Sequence, residues 1–436
     1  MQQVSGMRFA LVGAILIAIS FGLARFAFGL FVPQIRADLA LSANTIGTIA
    51  ALPLISFVLI SLVAPLVTKY FGARNTTVLS ATFAVVGLAL VSQARGPILL
   101  VIGVVACGIC TGLMMPALTA AMQALVDRSI HGRVSSVMNA GTSIGVALSV
   151  PAVVLLVGAW RYAYFSFTLF AIVGVFLAWY LIPSVSRVRS SDAAPPPKIT
   201  VRQSWRLFSL FLFAFAMGFI ASAYWTFGPD LAINLGALSS QQSGWLWLAL
   251  GVAGLGGAII SDLADRNNPA ITHALVLMML TTSLTLLAAS PGQIHLAVFS
   301  AMIFGLAYMS LTGLYLMTAI RLLPGHLSVG PVLAFVACAL GQAVGSPIIG
   351  LFVEKLGYAD SFSIFAAAGI FISLLSPLYP GRTELDSEAP EDEAGLQAAY
   401  DYQLQNDEGE PLQSNYPEQV EQDEPKLPAT LDKENQ

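Results

Sequence analysis

Charge is scarce in this sequence. Only 10% of its 436 residues are Asp, Glu, Lys or Arg, and the mean hydropathy is +0.77. Water-soluble domains carry roughly 25% charged residues, so a soluble globule is excluded. Cysteine is nearly absent as well, and three residues make no disulfide framework. Cys107-Gly-Ile-Cys110 has a redox-like spacing, but no charged neighbour is present to activate a thiolate. Small residues at a helix contact explain it better. The four histidines, at 131, 273, 295 and 326, fall near the ends of apolar runs. Paired carboxylates, H-x-x-x-H and H-E-x-x-H are all missing, so nothing indicates an enzyme, a metal, a cofactor or nucleic acid.

The charges that do occur are unevenly placed. Sixteen of the 24 acids lie after Gly381 against three basic residues, leaving that tail at −13 and the rest of the chain at +9. Residues 381–436, rich in Glu, Gln, Asp and Pro, read as a disordered acidic cytoplasmic tail.

Ahead of the tail, apolar segments recur, each long enough to cross roughly 30 Å of hydrocarbon as a helix. They cover 8–32, 44–67, 75–94, 97–124, 133–157 and 160–183, then 205–228, 241–263, 270–290, 293–319, 327–353 and 360–379. The pattern predicts an all-α membrane protein with twelve transmembrane helices. Six form a bundle over 8–183, and six more form a bundle over 205–380. The Ser- and Pro-rich stretch 184–204 reads as a cytoplasmic linker. With both termini in the cytoplasm, thirteen Lys or Arg of the body and its edges face inward and four, Arg36, Arg95, Arg161 and Lys355, face outward. This positive-inside bias orients the chain in a plasma (inner) membrane.

The halves resemble each other. Pro33-Gln-Ile-Arg-Ala-Asp38-Leu39 follows the first segment and Pro229-Asp-Leu-Ala-Ile-Asn234-Leu235 follows the seventh. Gly141-x-x-x-Gly145 and Gly341-x-x-x-Gly345 occupy the fifth and eleventh. Two parallel six-helix repeats with a site between them near the midplane are expected. The glycine pairs would let backbones approach where the halves meet.

These features resemble the major facilitator superfamily. FGLARFAFGLFVPQIRADLALS, GTSIGVALSVPAVVLLVGAWRYAY and Tyr224-Trp-Thr-Phe227 resemble, within it, a bacterial branch labelled YbfB/YjiJ-like. The resemblance covers residues 8 to about 380 and implies a monomeric carrier working by alternating access. It also implies a cavity lined by the first, fourth, seventh and tenth helices, and a cytoplasmic latch in the loops after the second and eighth. The first latch loop departs from the family pattern. Lys69 and Tyr70 stand where it has Asp and Arg, while Gly72 and Arg74 remain. Asp265-Arg266 keeps the pair in the second loop, so the resemblance gives Gly72, Arg74, Asp265 and Arg266 gating roles.

One charge lies deep in the apolar segments: Arg25, in FGLARFAFGL. Placing it there costs at least roughly 2.5–3.5 kcal/mol, and no acid lies at matching depth. Backbone carbonyls, cavity water, outer headgroups or an anionic ligand remain as partners. A cavity-facing arginine would clamp a carboxylate bidentately, whereas a lipid-facing one would snorkel. Tyr224 and Trp225, with Tyr308 and Tyr315 two turns apart on one helix face, could bracket a substrate or simply pack. The chemistry favours a transporter of a small organic anion such as a carboxylate. The alternatives are an exporter of apolar or cationic compounds, which the missing intramembrane acid disfavours, and a non-transporting receptor on the same fold.

Overall fold

The computed structural model describes residues 5–127, 130–156, 158–183, 200–236, 238–257, 268–323 and 329–380. Among them every regular element is a helix. In chain order these are α1 Gly6–Leu39, α2 Ala43–Phe71, α3 Ala73–Ser92, α4 Pro97–Leu125, α5 His131–Leu155 and α6 Trp160–Leu181. Then come α7 Val201–Asn234, α8 Ser240–Gly254, α9 Pro269–Ala288, α10 Ile294–Leu322, α11 Val332–Leu356 and α12 Tyr358–Leu374. Ten are long and apolar enough to cross a membrane, α8 and α12 being shorter. The acidic tail, most of the linker, and Asp265 and Arg266 lie outside the described residues.

Helix starts follow local chemistry. Ser42 caps α2 by accepting the Thr45 amide at 3.2 Å, and Ser239 with Gln242 forms a capping box at the start of α8. Both serines lie just beyond the recurring Pro33–Leu39 and Pro229–Leu235 stretches, so both halves encode helix entry at the same place. Thr200 and Gln203 cap α7 in the same way, which starts the helix at Val201, inside the stretch expected as linker.

Helix ends depart further from the sequence expectation. Pro33 and Pro229 were expected to leave their helices, yet α1 runs on to Leu39 and α7 to Asn234. A proline removes one backbone donor and clashes with the carbonyl four residues back. Membrane helices tolerate it where packed neighbours hold the chain, and both prolines lie where α1 and α7 pack together.

The outer face of α6 shows what surrounds the protein. Phe165, Leu169, Phe170, Val173 and Phe176 are all exposed. That apolar face is suited to lipid and not to water.

Glycines set the closest crossings. A Cβ on Gly141 would strike the Ala14 carbonyl, and one on Gly145 would strike the Ala18 carbonyl and the Gly22 Cα. Gly341 and Gly345 likewise sit against Phe215 and Phe219 of α7, and Gly218 of α7 against the Cys338 carbonyl. The G-x-x-x-G pairs therefore join α1 to α5 and α7 to α11, each inside one half of the chain, not between halves as expected. The α5 pair faces the Ala14, Ala18 and Gly22 ridge, which matches it in spacing. Contacts between the halves use other glycines: Gly29 against the Trp225 carbonyl, Gly47 against Ser346, Gly350 against Ala43, and Gly251 against Ser143.

Gly145→Val is expected to lower unfolding stability by about 1–3 kcal/mol, the usual cost of overpacking. Gly132→Ala, with nothing within 4 Å of the added carbon, should stay within about 0.5 kcal/mol. Thermal unfolding in detergent compares the two, and equal behaviour would contradict the tight α1–α5 crossing.

Candidate functional site

Among the described residues, Arg25 lies in the one stretch of π-helix. Ala18–Phe26 is wound as a π-helix, with the Ala27 amide bonded to the Gly22 carbonyl five residues back. Such wide turns are rare and concentrate at functional sites. In α1, 34 residues and about 51 Å long at 1.5 Å per residue, Arg25 falls within a turn of the centre. In the expected span 8–32 it falls nearer the outer end, and the longer helix brings it toward the middle.

The guanidinium points into the protein. Its Cζ lies 5.0 Å from the ring centres of Phe26 and of Phe57 on α2, and 5.9 Å from Phe21. Tyr308 on α10 and Cys338 on α11 are close enough to interact with it electrostatically. Snorkelling to lipid is thereby ruled out for this conformation. The ring faces supply cation–π attraction, but no acid pairs with Arg25 in the described structure, and its Nε is buried without a hydrogen-bond partner. The side chain as a whole remains partly exposed between buried neighbours.

Trp225 and Tyr308 join this cluster. Phe26 lies 4.2 Å from the Trp225 ring, and Trp225 lies 5.1 Å edge-on from Tyr308. Gln342 on α11 donates from Nε2 to the Tyr308 hydroxyl at 2.7 Å, which fixes that ring. Tyr224 stands behind, its ring stacked on Phe304 at 4.1 Å and its hydroxyl 3.2 Å from Ser300 Oγ. Tyr315 goes elsewhere: its hydroxyl is 2.9 Å from His273 Nε2 and donates to the Phe213 carbonyl at 3.2 Å. His273, stacked on Tyr379, completes a separate buried cluster. Of the five residues singled out in the sequence, three meet in one cluster, one supports them and one does not reach it.

Phe26, Phe57, Cys338 and Gln342 complete the surroundings. Gln342 ties α11 to α10 through its bond to Tyr308. The phenylalanines carried no signal beyond their place in apolar runs.

A second polar group ties α1 to α7 near their C-terminal ends. Arg36 forms an ion pair with Asp230 and donates to the Tyr358 hydroxyl at 2.7 Å. Tyr358 donates to Asp230 Oδ2 at 2.6 Å, and Asn234 Nδ2 donates to Oδ1 at 2.9 Å. Asp230 is 2% exposed and fully partnered, which a buried carboxylate requires. Nearby, the Asn44 amide donates to Glu354 Oε2 at 3.2 Å, joining α2 to α11. The halves are thus locked together at this end.

At the opposite end, Arg74 lies over the Trp179 ring of α6 at 4.5 Å, inside the first half. Gly72 has φ +82°, a left-handed turn that needs glycine between α2 and α3.

The sequence pattern of the Major Facilitator Superfamily matches residues 14–330. The chain belongs to that superfamily. It is a multi-pass membrane protein of a family that transports small molecules, not an enzyme. A hexuronate transporter of Bacillus subtilis (strain 168) is 23% identical over 378 residues, covering 80% of this chain and 89% of that one. A D-xylose–proton symporter structure superposes with TM-score 0.73 at 15% identity, over 85% of this chain and 97% of that one. A POT family transporter in complex with 5-aminolevulinic acid gives 0.71 at 13% identity, over 86% and 96%. At these identities the two structures establish the fold alone.

Asp230→Asn is expected to loosen the Arg36 end of this superfamily member. Maleimide labelling of a cysteine placed at Val32, which is 0% exposed, should rise several-fold. The reversed pair Arg36→Asp with Asp230→Arg should bring it back down. Unchanged labelling in Asp230→Asn would remove the pair from any role in closure.

Proposed function

We propose that this protein is a secondary transporter of a small organic anion, with Arg25 as the counter-charge to the substrate. The single observation that carries this reading is a central arginine with no acid partner in the described structure, whose buried Nε lacks any partner. An anionic ligand arriving there would supply the missing acceptor and offset the desolvated charge. The curated relative transports a hexuronate, itself a carboxylate, and this favours the same charge class.

Transport would proceed by alternating access between two six-helix repeats, within twelve transmembrane helices and with both termini cytoplasmic. Support comes from the matched crossings of α1 on α5 and of α7 on α11. In that orientation Arg36, Asp230 and Tyr358 close the extracellular side, and Gly72, Arg74, Asp265 and Arg266 serve the cytoplasmic side. Trp225 and Tyr308 would flank the substrate, Tyr224 would hold their ring stack in place, and Tyr315 would act through helix packing. The working unit would be a monomer in the inner membrane.

Thermal unfolding of wild type and Arg25→Gln against pooled anionic, neutral and cationic metabolites tests the charge class. A ligand at 100 times its Kd should stabilise the wild type by about 2.7 kcal/mol, and only anions should do so, with Arg25→Gln silent. Stabilisation of both proteins alike, or by cations only, would contradict the proposal.

A further inference from the structure

The hydrogen-bonding groups of the ring cluster around Arg25 are unbalanced. Three buried nitrogens there have no partner: Arg25 Nε, Trp225 Nε1 and Trp247 Nε1. The Trp247 ring meets Trp225 at 5.7 Å, edge-on. All three nitrogens can only donate.

The neighbouring hydroxyls are already engaged. Tyr308 Oη accepts from Gln342 at 2.7 Å, Thr226 and Ser346 pair at 3.1 Å, and Ser222 donates to the Phe219 carbonyl at 2.7 Å. Ser20 donates to the Leu16 carbonyl at 2.8 Å. What remains unpaired in the cluster is donors alone, set among aromatic rings.

That inventory discriminates among anions. A sugar acid carries several hydroxyls that both donate and accept. Placed against Phe21, Phe26 and Phe57, it would leave most of them unpaired, at a cost for each. A dianion would bring a second negative charge with no second cation beside Arg25 in the described structure. A carboxylate on an apolar body answers both features: its oxygens take the orphan donors, and its body lies on the rings.

We infer that the substrate class is a monocarboxylate with an aliphatic or aryl body, and not a sugar acid. This rests on the anion-carrier reading proposed above and narrows it. Trp225 is then a specificity-determining residue, donating from Nε1 to the carboxylate beside Arg25.

Equilibrium binding to the full-length purified protein tests the inference with five probes. They are benzoate, hexanoate, glucuronate, the neutral isostere benzamide and the cation benzamidine. Benzoate or hexanoate should bind at least about tenfold more tightly than glucuronate and benzamide, the factor expected from a hydrogen bond to a charged group. Trp225→Phe keeps a ring but removes the donor. It should weaken the favoured monocarboxylate about tenfold and leave benzamide unchanged.

Glucuronate binding as tightly as the apolar acids would overturn the substrate class while leaving the anion-carrier reading standing. Preference for benzamidine or benzamide would overturn both. Failure of every probe to bind would overturn the inference as well. If Trp225→Phe does not fold, the wild-type series decides alone.

Discussion

A guanidinium cannot be neutralised by losing its proton at any accessible pH, so Arg25 brings a permanent charge to the middle of a membrane helix. The surrounding protein meets that charge with aromatic rings. Three phenylalanine faces hold it in place, yet no carboxylate pairs with it in the described structure. Ring quadrupoles attract a cation without competing for hydrogen bonds, which leaves the donor fork available. A salt bridge at the same spot would have spent it.

The rest of the molecule can be understood as the frame for that charge. Gly22, Gly141 and Gly145 let α1 and α5 touch backbone to backbone, which holds the π-helical stretch bearing Arg25. Gly29 brings the Trp225 carbonyl against α1, setting an indole beside Phe26. Farther along the same two helices, the charge at Arg36 is handled the opposite way. There a buried carboxylate with two further partners neutralises it completely. One arginine on α1 meets an acid from α7, and the other meets ring faces of α1 and α2 with no acid partner in the described structure.

Much of this was legible in the sequence, for identifiable reasons. The membrane helices and Arg25 stand out because hydrophobic runs and a charge inside one are visible in composition alone. The pairing of Trp225 and Tyr308 with Arg25 could be anticipated only through the resemblance that places helices 1, 7 and 10 around one cavity. Tyr315 shares a helix face with Tyr308 but stands two turns away, at the depth of His273, and helical periodicity cannot distinguish those depths. Pro33 and Pro229 looked like helix ends because local rules treat proline as a breaker, whereas the α1–α7 packing overrides them. The same loops had been recognised as a repeat, yet nothing local revealed that Arg36 in one would meet Asp230 in the other. The glycine pairs were correctly read as close-contact points, but which helix they would contact is a tertiary fact. The π-helix left no sequence trace.

The most direct measurement is a structure of the protein determined with benzoate or hexanoate bound. The account predicts a carboxylate within about 3 Å of the Arg25 guanidinium, also accepting from Trp225, with the apolar body between Phe57 and Tyr308. An Arg25 bonded to backbone carbonyls or a lipid headgroup, with the acid bound elsewhere, would contradict it.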